Sequence, residues 1–312
     1  MRVLITGVAG FVGSRLAKRR LQEGAETVVL DDFRTGRREN LRDCQGVELI
    51  EGSVVDRNAV ARAMKGVDFV HHLAAMVSVP ESMAKPYECL TVNAGGTVNV
   101  LEAARNAGVK KVVLSSSAAV YGDDPTSPKT VDLKPAPKSP YAITKLDGEY
   151  YLNMYREEFG LPTVSLRYFN VYGPKQDPKS QYAAAIPIFV SRALRGESLT
   201  IFGDGEQTRD FVFVDDVVEA NVLAAGGEAT GVFNVATGEA TTVNETVAAI
   251  KERTGSGSEI VYAKEREGDV KHSLASIEET TRALGFRPKT PFAEGLRQTI
   301  DYFVEYFERE ER

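Results

Sequence analysis

Residues 1–13 read Met-Arg-Val-Leu-Ile-Thr-Gly-Val-Ala-Gly-Phe-Val-Gly, and their pattern determines the fold class. The β-branched run Arg2–Thr6 predicts a strand, and Gly7, Gly10 and Gly13 then predict a tight turn into a helix. Glycine has no Cβ, so such a turn lets the backbone approach a pyrophosphate, which the free N–H groups of the helix start can bind. The G-x-x-G-x-x-G spacing alone is weak evidence, because glycine-rich turns also join strands to helices without a ligand.

The segment after this turn strengthens the interpretation. Residues 13–24 have helical spacing of apolar side chains, Thr27–Leu30 predicts a second strand, and Asp31-Asp32 follows that strand. An acidic side chain at this place can accept hydrogen bonds from the hydroxyls of an adenosine ribose, and its charge repels the extra phosphate of NADP. The pattern therefore predicts a dinucleotide site that prefers NAD. Three nearby cations keep NADP open as the alternative: Arg34, Arg37 and Arg38.

Strand and helix patterns alternate through the first half of the chain. Further strands are predicted at 47–51, 69–73, 112–115 and 163–168, and helices at 59–65, 87–107 and 141–159. Strands separated by helices form βαβ units, so the predicted fold class is α/β, a Rossmann-type doubly wound parallel sheet. After residue 173 the pattern is less regular, with short strand-like pieces at 199–202, 211–214 and 259–262.

This change of pattern divides the chain into two predicted parts. Residues 1–173 form an NAD-binding Rossmann domain, which returning segments of the C-terminal part complete. Residues 174–312 form mainly a smaller C-terminal α/β lobe that binds the substrate. We expect this lobe over the carboxyl ends of the strands, where ligands of open α/β sheets bind.

Composition excludes several classes of function. The chain has 312 residues, of which 43% are hydrophobic and 26% are charged, as in ordinary globular proteins. Its formal net charge of −6 argues against a nucleic-acid partner bound through a broad basic face. No apolar run reaches the length of about 18 residues that a membrane helix needs, and the first residues lack the pattern of a secretory signal. We therefore expect a cytoplasmic protein without a membrane partner.

Cysteine and histidine usage predicts neither a metal site nor a disulfide framework. Cys44 and Cys89 are far apart, and the histidines show no ligand spacing. We expect His71, His72 and His272 to be structural or to support the site indirectly.

The candidate catalytic residues lie in two short segments. Tyr141-Ala142-Ile143-Thr144-Lys145 places a tyrosine and a lysine four residues apart, on one face of a predicted helix. A nearby ammonium and an oxidised nicotinamide both favour the phenolate, so the phenol can act as a base near neutral pH. Ser115–Ser117 supplies hydroxyls at the end of a predicted strand. Each pattern is common by itself, but together with the glycine turn they are strong.

Motifs in a fixed order along the chain carry a family resemblance. They are TGVAGFVG at 6–13, HLAA at 72–75, SSSAAVYG at 115–122, YAITK at 141–145, RYFNVYGP at 167–174, DGEQTRDFVFVDD at 204–216 and REGD at 266–269. The chain resembles the extended short-chain dehydrogenase/reductase family, and within it the UDP-glucose 4-epimerase group. The resemblance implies that Ser117, Tyr141 and Lys145 are the catalytic set.

The resemblance also implies a tightly bound NAD. Its binding residues map to the following positions: Gly7, Gly10, Phe11, Val12, Gly13, Asp31, Asp32, Arg34, Thr35, Gly36, Ser53, Val54, Leu73, Ala74, Ala75, Asn93, Tyr141, Lys145 and Phe169. Ser53 departs from the family, because relatives often have an aspartate there. A hydroxyl can still accept a hydrogen bond from the adenine amine, but more weakly.

A UDP-sugar is the implied substrate. Arg209 and Arg266 match the family's phosphate-contacting arginines, whose planar fork suits a diphosphate. The remaining implied substrate contacts are Ser78, Ser117, Tyr141, Asn170, Thr200, Ile201, Phe202 and Ser273. Relatives restricted to UDP-glucose and UDP-galactose have a bulky aromatic residue where Ser273 stands. A serine leaves room for an acetamido group, so we also expect UDP-GlcNAc and UDP-GalNAc as substrates.

The residues after Ser117 favour epimerisation. Relatives that dehydrate or decarboxylate carry acidic residues here, whereas this chain has Ala118 and Ala119. The implied reaction is UDP-sugar 4-epimerisation, in which Tyr141 takes the proton of the 4-hydroxyl and NAD takes the hydride. The 4-keto sugar then turns and receives the hydride on its other face. Ala119 also replaces a hydroxyl residue that is common in epimerases.

Three alternatives stay open. The chain can be a UDP-glucuronate 4-epimerase or another nucleotide-sugar oxidoreductase, since the family contains several reactions. A non-catalytic NAD-binding regulator is the alternative of a different class, which the intact catalytic set disfavours. The resemblance further implies a homodimer formed through the helices at 87–107 and 141–159.

Overall fold

The structure is a computed structural model that describes residues 1–177, 185–265 and 271–310. The strands are β1 Arg2–Thr6, β2 Glu26–Asp31, β3 Glu48–Glu51, β4 Phe69–His72, β5 Lys111–Ser117, β6 Thr163–Tyr168, β7 Asn170–Tyr172, β8 Leu199–Phe202, β9 Thr208–Arg209, β10 Phe211–Phe213, β11 Gly231–Val235, β12 Thr241–Thr242 and β13 Ile260–Ala263. The α-helices are α1 Phe11–Gln22, α2 Arg57–Ala63, α3 Val79–Ala84, α4 Pro86–Cys89, α5 Gly96–Ala107, α6 Pro140–Phe159, α7 Ala185–Leu194, α8 Val214–Gly226, α9 Val243–Thr254, α10 Glu278–Leu284 and α11 Phe292–Glu310. A π turn at Leu90–Gly95 joins α4 to α5, and 3₁₀ turns lie at Arg38–Leu41 and Ala118–Tyr121.

Seven strands form one parallel sheet in the order β11-β6-β5-β4-β1-β2-β3. The chain leaves β1 toward β2 and β3 on one side, and later strands continue from β4 on the other side. The strand order therefore reverses between β1 and β4, and ligands of such sheets bind at the carboxyl ends of the strands there. This confirms the predicted Rossmann-type α/β fold.

Helices cover both faces of this sheet, as alternation along its strands requires. Val3 and Ile5 of β1 point to one face, where they pack with Leu16 of α1 and Val218 of α8. Leu4 points to the other face, into a core to which α2, α5 and α6 contribute. The sheet is thus buried on both sides, which is why its strands read as nearly continuous apolar runs.

The C-terminal lobe has its own core. Helices α7, α9 and α11 pack together with short strand pairs around Tyr172, Phe189, Val247 and Phe303. Three two-stranded sheets belong to this region: β7 with β10 and β8 with β13 are parallel, and β9 with β12 is antiparallel. Partly buried Phe11 and Val12, at the start of α1, pack against this core, so the glycine turn lies between the two lobes.

The chain returns to the first lobe after residue 173. Strand β11 pairs with β6 at the edge of the large sheet, and α8 covers one of its faces. The sequence predicts returning segments, but the pattern did not locate β11. Elsewhere, Arg2–Thr6, Thr163–Tyr168 and Leu199–Phe202 have the predicted bounds, while the predicted helix at 87–107 begins at Pro86 and contains the π turn.

Within the described parts of the chain, we find no helix that combines the length and apolar content needed to cross a membrane.

Candidate active site

The glycine turn lies at the point where the strand order reverses. Gly7 has a φ of +72°, and a Cβ there would lie 2.6 Å from the backbone nitrogen of Ala74, just after β4. A Cβ on Gly13 would lie 2.3 Å from the carbonyl oxygen of Gly7. Both positions therefore need glycine, and the turn exposes backbone rather than side chains. A cradle of this kind fits the pyrophosphate of a dinucleotide.

Asp31 connects this turn to the loop after β2. Its Oδ2 accepts a hydrogen bond from the N–H of Ala9 at 2.8 Å, and its Oδ1 accepts one from Phe33 at 2.8 Å. Burial raises the pKa of Asp31, while these two hydrogen bonds act in the opposite direction. Each carboxylate oxygen has a second lone pair, so Asp31 retains acceptors for ribose hydroxyls. Asp32 and Thr35 are exposed beside it, and Gly36 contacts Ala9.

The three arginines behind Asp31 are paired with carboxylates. The pairs are Arg34 with Glu81 and Glu88, Arg37 with Asp177, and Arg38 with Glu51, at 2.6–3.0 Å. Arg38 also lies over the ring of Phe33, 4.0 Å from its centroid. Carboxylates thus already neutralise the positive charge that the sequence places here.

The catalytic candidates meet at the carboxyl end of β5. Ser117 is the last residue of β5, and Tyr141 and Lys145 lie in the first turns of α6. That helix begins with Pro140, and the hydroxyl of Ser139 accepts a hydrogen bond from the N–H of Ala142, which caps it. The hydroxyl of Ser117 lies near the phenol of Tyr141 and acts to lower its pKa.

Burial controls the charges of this group. It raises the pKa of Tyr141, and the nearby hydroxyl of Ser117 partly opposes the rise. It also lowers the pKa of Lys145 to about 8. The Lys145 ammonium donates to the carbonyl of Ser115 at 2.7 Å and lies 5.8 Å from the centroid of the Tyr141 ring. Within the chain, burial and the Ser117 hydroxyl are the main influences on the pKa of the phenol.

Two buried charges support this strand end, and the sequence analysis missed them. Glu149 of α6 and Arg167 of β6 form an ion pair at 2.7 Å, with each side chain at most 4% exposed. The hydroxyl of Ser116 donates to Glu149 at 2.5 Å, which ties β5 to α6 beside Ser117. Arg167 belongs to the RYFNVYGP motif, which could have indicated a role for it. Nothing in the sequence indicates that Glu149, 18 residues away, is its partner.

Several predicted NAD contacts lie around this centre. Ala74, Ala75 and Asn93 line a small cavity with Lys145. Both side-chain termini of Asn93 are already hydrogen-bonded within the chain, to Met76 and to α6. The other predicted positions are Ser53, whose hydroxyl accepts from Val55 N–H, Val54 in the sheet core, Leu73 packed near α1, and Phe169 beside Tyr121. Since the Val54 side chain is buried in the core, only its backbone can face a ligand.

The predicted substrate residues are more dispersed. Arg209 of β9 is half-buried, and the N–H of Ser273 donates to the carbonyl of the neighbouring Thr208 at 3.1 Å, which places Ser273 beside this strand. Asn170 donates to the carbonyl of Asp210 at 3.3 Å. Ser78, by contrast, lies in the first lobe, where it caps α3.

Strand β8 carries the other predicted substrate residues. Ile201 is buried in the C-terminal core, so its side chain is unavailable to a ligand, whereas Thr200 and Phe202 are half-buried beside it. Thr200 accepts a hydrogen bond from Arg192 at 3.3 Å. Arg266 lies outside the described residues. Among the residues described, no cluster of three or more metal-ligating side chains occurs.

Comparisons with known proteins agree with this geometry. Residues 3–236 match the model of the NAD dependent epimerase/dehydratase family, a range that ends just after β11. The chain is 42% identical over 309 residues to the UDP-glucose 4-epimerase of Mycolicibacterium smegmatis, covering 97% of this chain and 98% of that protein.

Two solved structures are similar over almost the whole chain. One is a UDP-glucose 4-epimerase from Thermotoga maritima with UDP-glucose, with a TM-score of 0.95, 40% identity, and coverage of 98% of this chain and 100% of the other. The second is a UDP-N-acetylglucosamine 4-epimerase from Methanobrevibacter ruminantium M1, in complex with UDP-N-acetylmuramic acid. Its TM-score is 0.95 and its identity 39%, with 98% of each chain covered. The chain belongs to the NAD dependent epimerase/dehydratase family.

Proposed function

We propose that this protein is an NAD-dependent UDP-sugar 4-epimerase that interconverts UDP-glucose and UDP-galactose. The meeting of Ser117, Tyr141 and Lys145 at the carboxyl end of β5 is the observation that carries this proposal. NAD, when bound, supplies an acceptor and donor of hydride at carbon 4 of the sugar.

The residues of the chain provide the proton transfer and the orientation. Tyr141 removes the proton of the 4-hydroxyl, and Ser117 hydrogen-bonds the same oxygen, so that one oxygen is held by two groups. Lys145, fixed by the Ser115 carbonyl, is placed to hold a ribose hydroxyl of the cofactor.

The segment after Ser117 supports epimerisation over elimination. Ala118 and Ala119 lie in the 3₁₀ turn that follows β5, and the N–H of Ala119 donates to the Ser117 hydroxyl at 3.1 Å. Two methyl groups occupy the positions from which an acid would eliminate water, and a methyl group performs no acid–base step. A dehydratase is therefore disfavoured, while a UDP-glucuronate 4-epimerase remains the second candidate.

The charges around Asp31 support NAD rather than NADP. Asp31 ends β2 beside the glycine turn, and the neighbouring arginines, which a 2′-phosphate would need as partners, are already paired with carboxylates. Arg34 is the arginine nearest to Asp31 in the sequence, and it forms ion pairs with Glu81 and Glu88 in the α3–α4 region.

An exposed apolar face supports the homodimer. Tyr87 is 80% exposed and Tyr150 61% exposed, and Leu90, Ile143 and Met154 are exposed as well, on α4, the π turn and α6, which pack against one another. A contiguous apolar surface on two adjacent helices is typical of a helical dimer interface. A second copy of the chain, packing these helices against their equivalents, is the occupant we propose.

Two further expectations belong to this function. Ser273, half-buried beside the strand of Arg209, has a small side chain, which supports UDP-GlcNAc and UDP-GalNAc as additional substrates. Cys44 and Cys89 are free, buried thiols, which fits the reducing cytoplasm.

Incubation of the purified protein with a panel of UDP- and dTDP-sugars, without added NAD, tests the proposal. NMR of the products should show the 4-epimers of UDP-glucose and UDP-galactose. Turnover of UDP-glucuronate alone would establish the second candidate instead. A 4-keto-6-deoxy product would overturn our interpretation of Ala118 and Ala119, and absence of UDP-GlcNAc turnover would refute the role given to Ser273.

A further inference from the structure

A chain of buried polar side chains runs from the glycine turn to the helix that carries Tyr141. Thr6 ends β1, His72 ends β4, Thr97 lies in α5 and Thr144 lies in α6. All four residues are at most 3% exposed. We call Thr6, His72, Thr97, Asn93 and Thr144 the buried polar chain.

The hydrogen-bond directions are fixed at each step. The hydroxyl of Thr97 donates to the carbonyl of Asn93 at 2.6 Å, so its oxygen accepts from Nε2 of His72 at 3.0 Å. Nδ1 of His72 is then unprotonated and accepts from the hydroxyl of Thr6 at 2.8 Å. The oxygen of Thr6 in turn accepts from the N–H of Ala74 at 3.2 Å. One tautomer of a neutral imidazole satisfies every partner.

The imidazole is neutral for a physical reason. Burial, together with the nearby charge of Lys145, lowers the pKa of His72 to about 3. Its ring therefore keeps one donor and one acceptor over the whole range in which an enzyme of this type works.

Asn93 continues the buried polar chain into the catalytic helix. Its Nδ2 donates to the hydroxyl oxygen of Thr144 at 3.0 Å, and the Thr144 hydroxyl donates to the carbonyl of Tyr141 at 2.9 Å. The Oδ1 of Asn93 accepts from the N–H of Met76 at 2.7 Å. Asn93 lies in the π turn, a rare conformation that is frequent at functional sites.

The two ends of this chain are parts that must keep a fixed relative position. At one end, Ala74 touches Gly7 of the glycine turn. At the other end, the backbone of Tyr141 carries the phenol that lies near the Ser117 hydroxyl. Buried hydrogen bonds cost much if one partner is lost, so a fully paired network permits one arrangement and penalises others. Small displacements of reacting groups reduce rates strongly.

We propose that Thr97, His72 and Thr144 are positioning residues, which hold Tyr141 against Ser117 in a fixed position relative to the glycine turn. This inference rests on the proposed function and deepens it. These residues act through the backbone of the π turn and of α6.

Thr144→Val tests the proposal most directly, because it keeps the shape and removes the hydroxyl. We expect kcat to fall about tenfold while KM for UDP-glucose changes by less than about twofold, because orientation rather than binding is lost. Thr144→Ser should restore kcat to within about threefold of the wild type. NAD content per protomer, measured after denaturation, should be unchanged.

Thr163→Val is the matched control. Thr163 lies in β6, and its buried hydroxyl donates to the carbonyl of Leu152 in α6 at 2.9 Å. Leu152 lies in the second half of α6, away from Tyr141. Its loss should lower the melting temperature as much as Thr144→Val does, while kcat stays within about twofold of the wild type. Equal losses of kcat in the two variants, or failure of Thr144→Ser to restore kcat, would overturn the proposal.

Thr97→Val gives a readout that needs no sugar. Thr97 lies in α5, and its hydroxyl bonds His72 and Asn93 but not α6. We expect faster amide hydrogen exchange over residues 139–146, at the start of α6, whereas Thr163→Val should accelerate exchange only toward its end. Unchanged exchange at 139–146 would refute the proposal. If the wild type epimerises no UDP-sugar, the proposed function fails, yet this exchange experiment still decides whether the buried polar chain holds α6.

Discussion

The cofactor side and the substrate side of the active site are built by different means. The cofactor side presents backbone: Gly7 and Gly13 exclude a Cβ, and the carboxylate of Asp31 binds the turn itself. The substrate side is predicted to use side chains, such as Arg209 and Ser273, on a strand of two residues and the segment beside it. A surface made of backbone cannot be altered without rebuilding the turn, whereas a surface of side chains changes by substitution. One fold can therefore keep its cofactor while its sugar changes.

The largest effect is expected where the two sides meet. Tyr141→Phe removes the phenolic hydroxyl and keeps the ring, so kcat should fall about thousandfold while bound NAD per protomer changes little. Steady-state kinetics with UDP-galactose and NAD quantification check this. Tyr262→Phe is the control, because that hydroxyl bonds Asn244 at the surface. A Tyr141→Phe protein with wild-type kcat would remove the phenol from the mechanism.

The next largest effect concerns the stability that the protein loses by burying the ammonium of Lys145 on the cofactor side. Lys145 has a folded pKa of about 8, lowered by burial from 10.5. Below pH 8 the side chain of Lys145 is charged in both the folded and the unfolded chain, so its burial opposes folding. Between pH 8 and 10.5 the unfolded chain binds the extra proton, so stability rises with pH. Lys145→Met should therefore be more stable than wild type at pH 7, by up to about 3 kcal/mol.

Urea unfolding of both proteins from pH 7 to pH 10.5, at equal NAD content, measures this difference. The advantage of Lys145→Met should shrink as the pH rises through that window. A difference independent of pH would show that the ammonium of Lys145 is not desolvated.

A substitution in the glycine turn tests whether backbone really forms the cofactor side. Gly13→Ala places a Cβ 2.3 Å from the Gly7 carbonyl, so we expect a loss of about 1–3 kcal/mol of stability and less bound NAD. Gly226→Ala is the control, because nothing lies within 4 Å of its Cβ. Chemical denaturation and the absorbance of released NAD measure both properties. Full NAD retention in Gly13→Ala would contradict the view that the backbone of the glycine turn forms the cofactor side.

The smallest effect is expected on the substrate side. Arg209→Ala should raise KM for the UDP-sugar about tenfold, with kcat and NAD content nearly unchanged, since one of several phosphate contacts is lost. Arg253→Ala, which removes an exposed arginine that faces Asp301 at 3.8 Å, is the matched control and should leave KM unchanged. Loss of NAD from Arg209→Ala would show that the two sides are not separate.

Local patterns predicted the cofactor side well, and the reason is physical. The strand, the glycine turn and Asp31 lie within one short stretch whose backbone geometry only glycine permits. The tyrosine and lysine share a helix face, so their spacing also predicted their proximity. Their partner Ser117 required the resemblance, because a run of serines alone does not identify one of its members.

Contacts between distant segments could not be predicted in the same way. The pair of Glu149 and Arg167, and the path from Thr6 to Thr144, join residues that only the folded sheet brings together. Strand β11 was missed because its five residues, which include Gly231 and Asn234, give only a short strand pattern. The predicted contacts Val54 and Ile201 have side chains that pack in a core, which a motif position alone does not indicate.

The returning strand also has a consequence for synthesis on the ribosome. Until Gly231–Val235 has emerged, β6 is an open edge with unpaired backbone groups. The NAD-binding part of the chain is therefore translated well before β11 can complete its sheet. A gene cut near codon 173 would yield two fragments, of which neither holds a finished sheet.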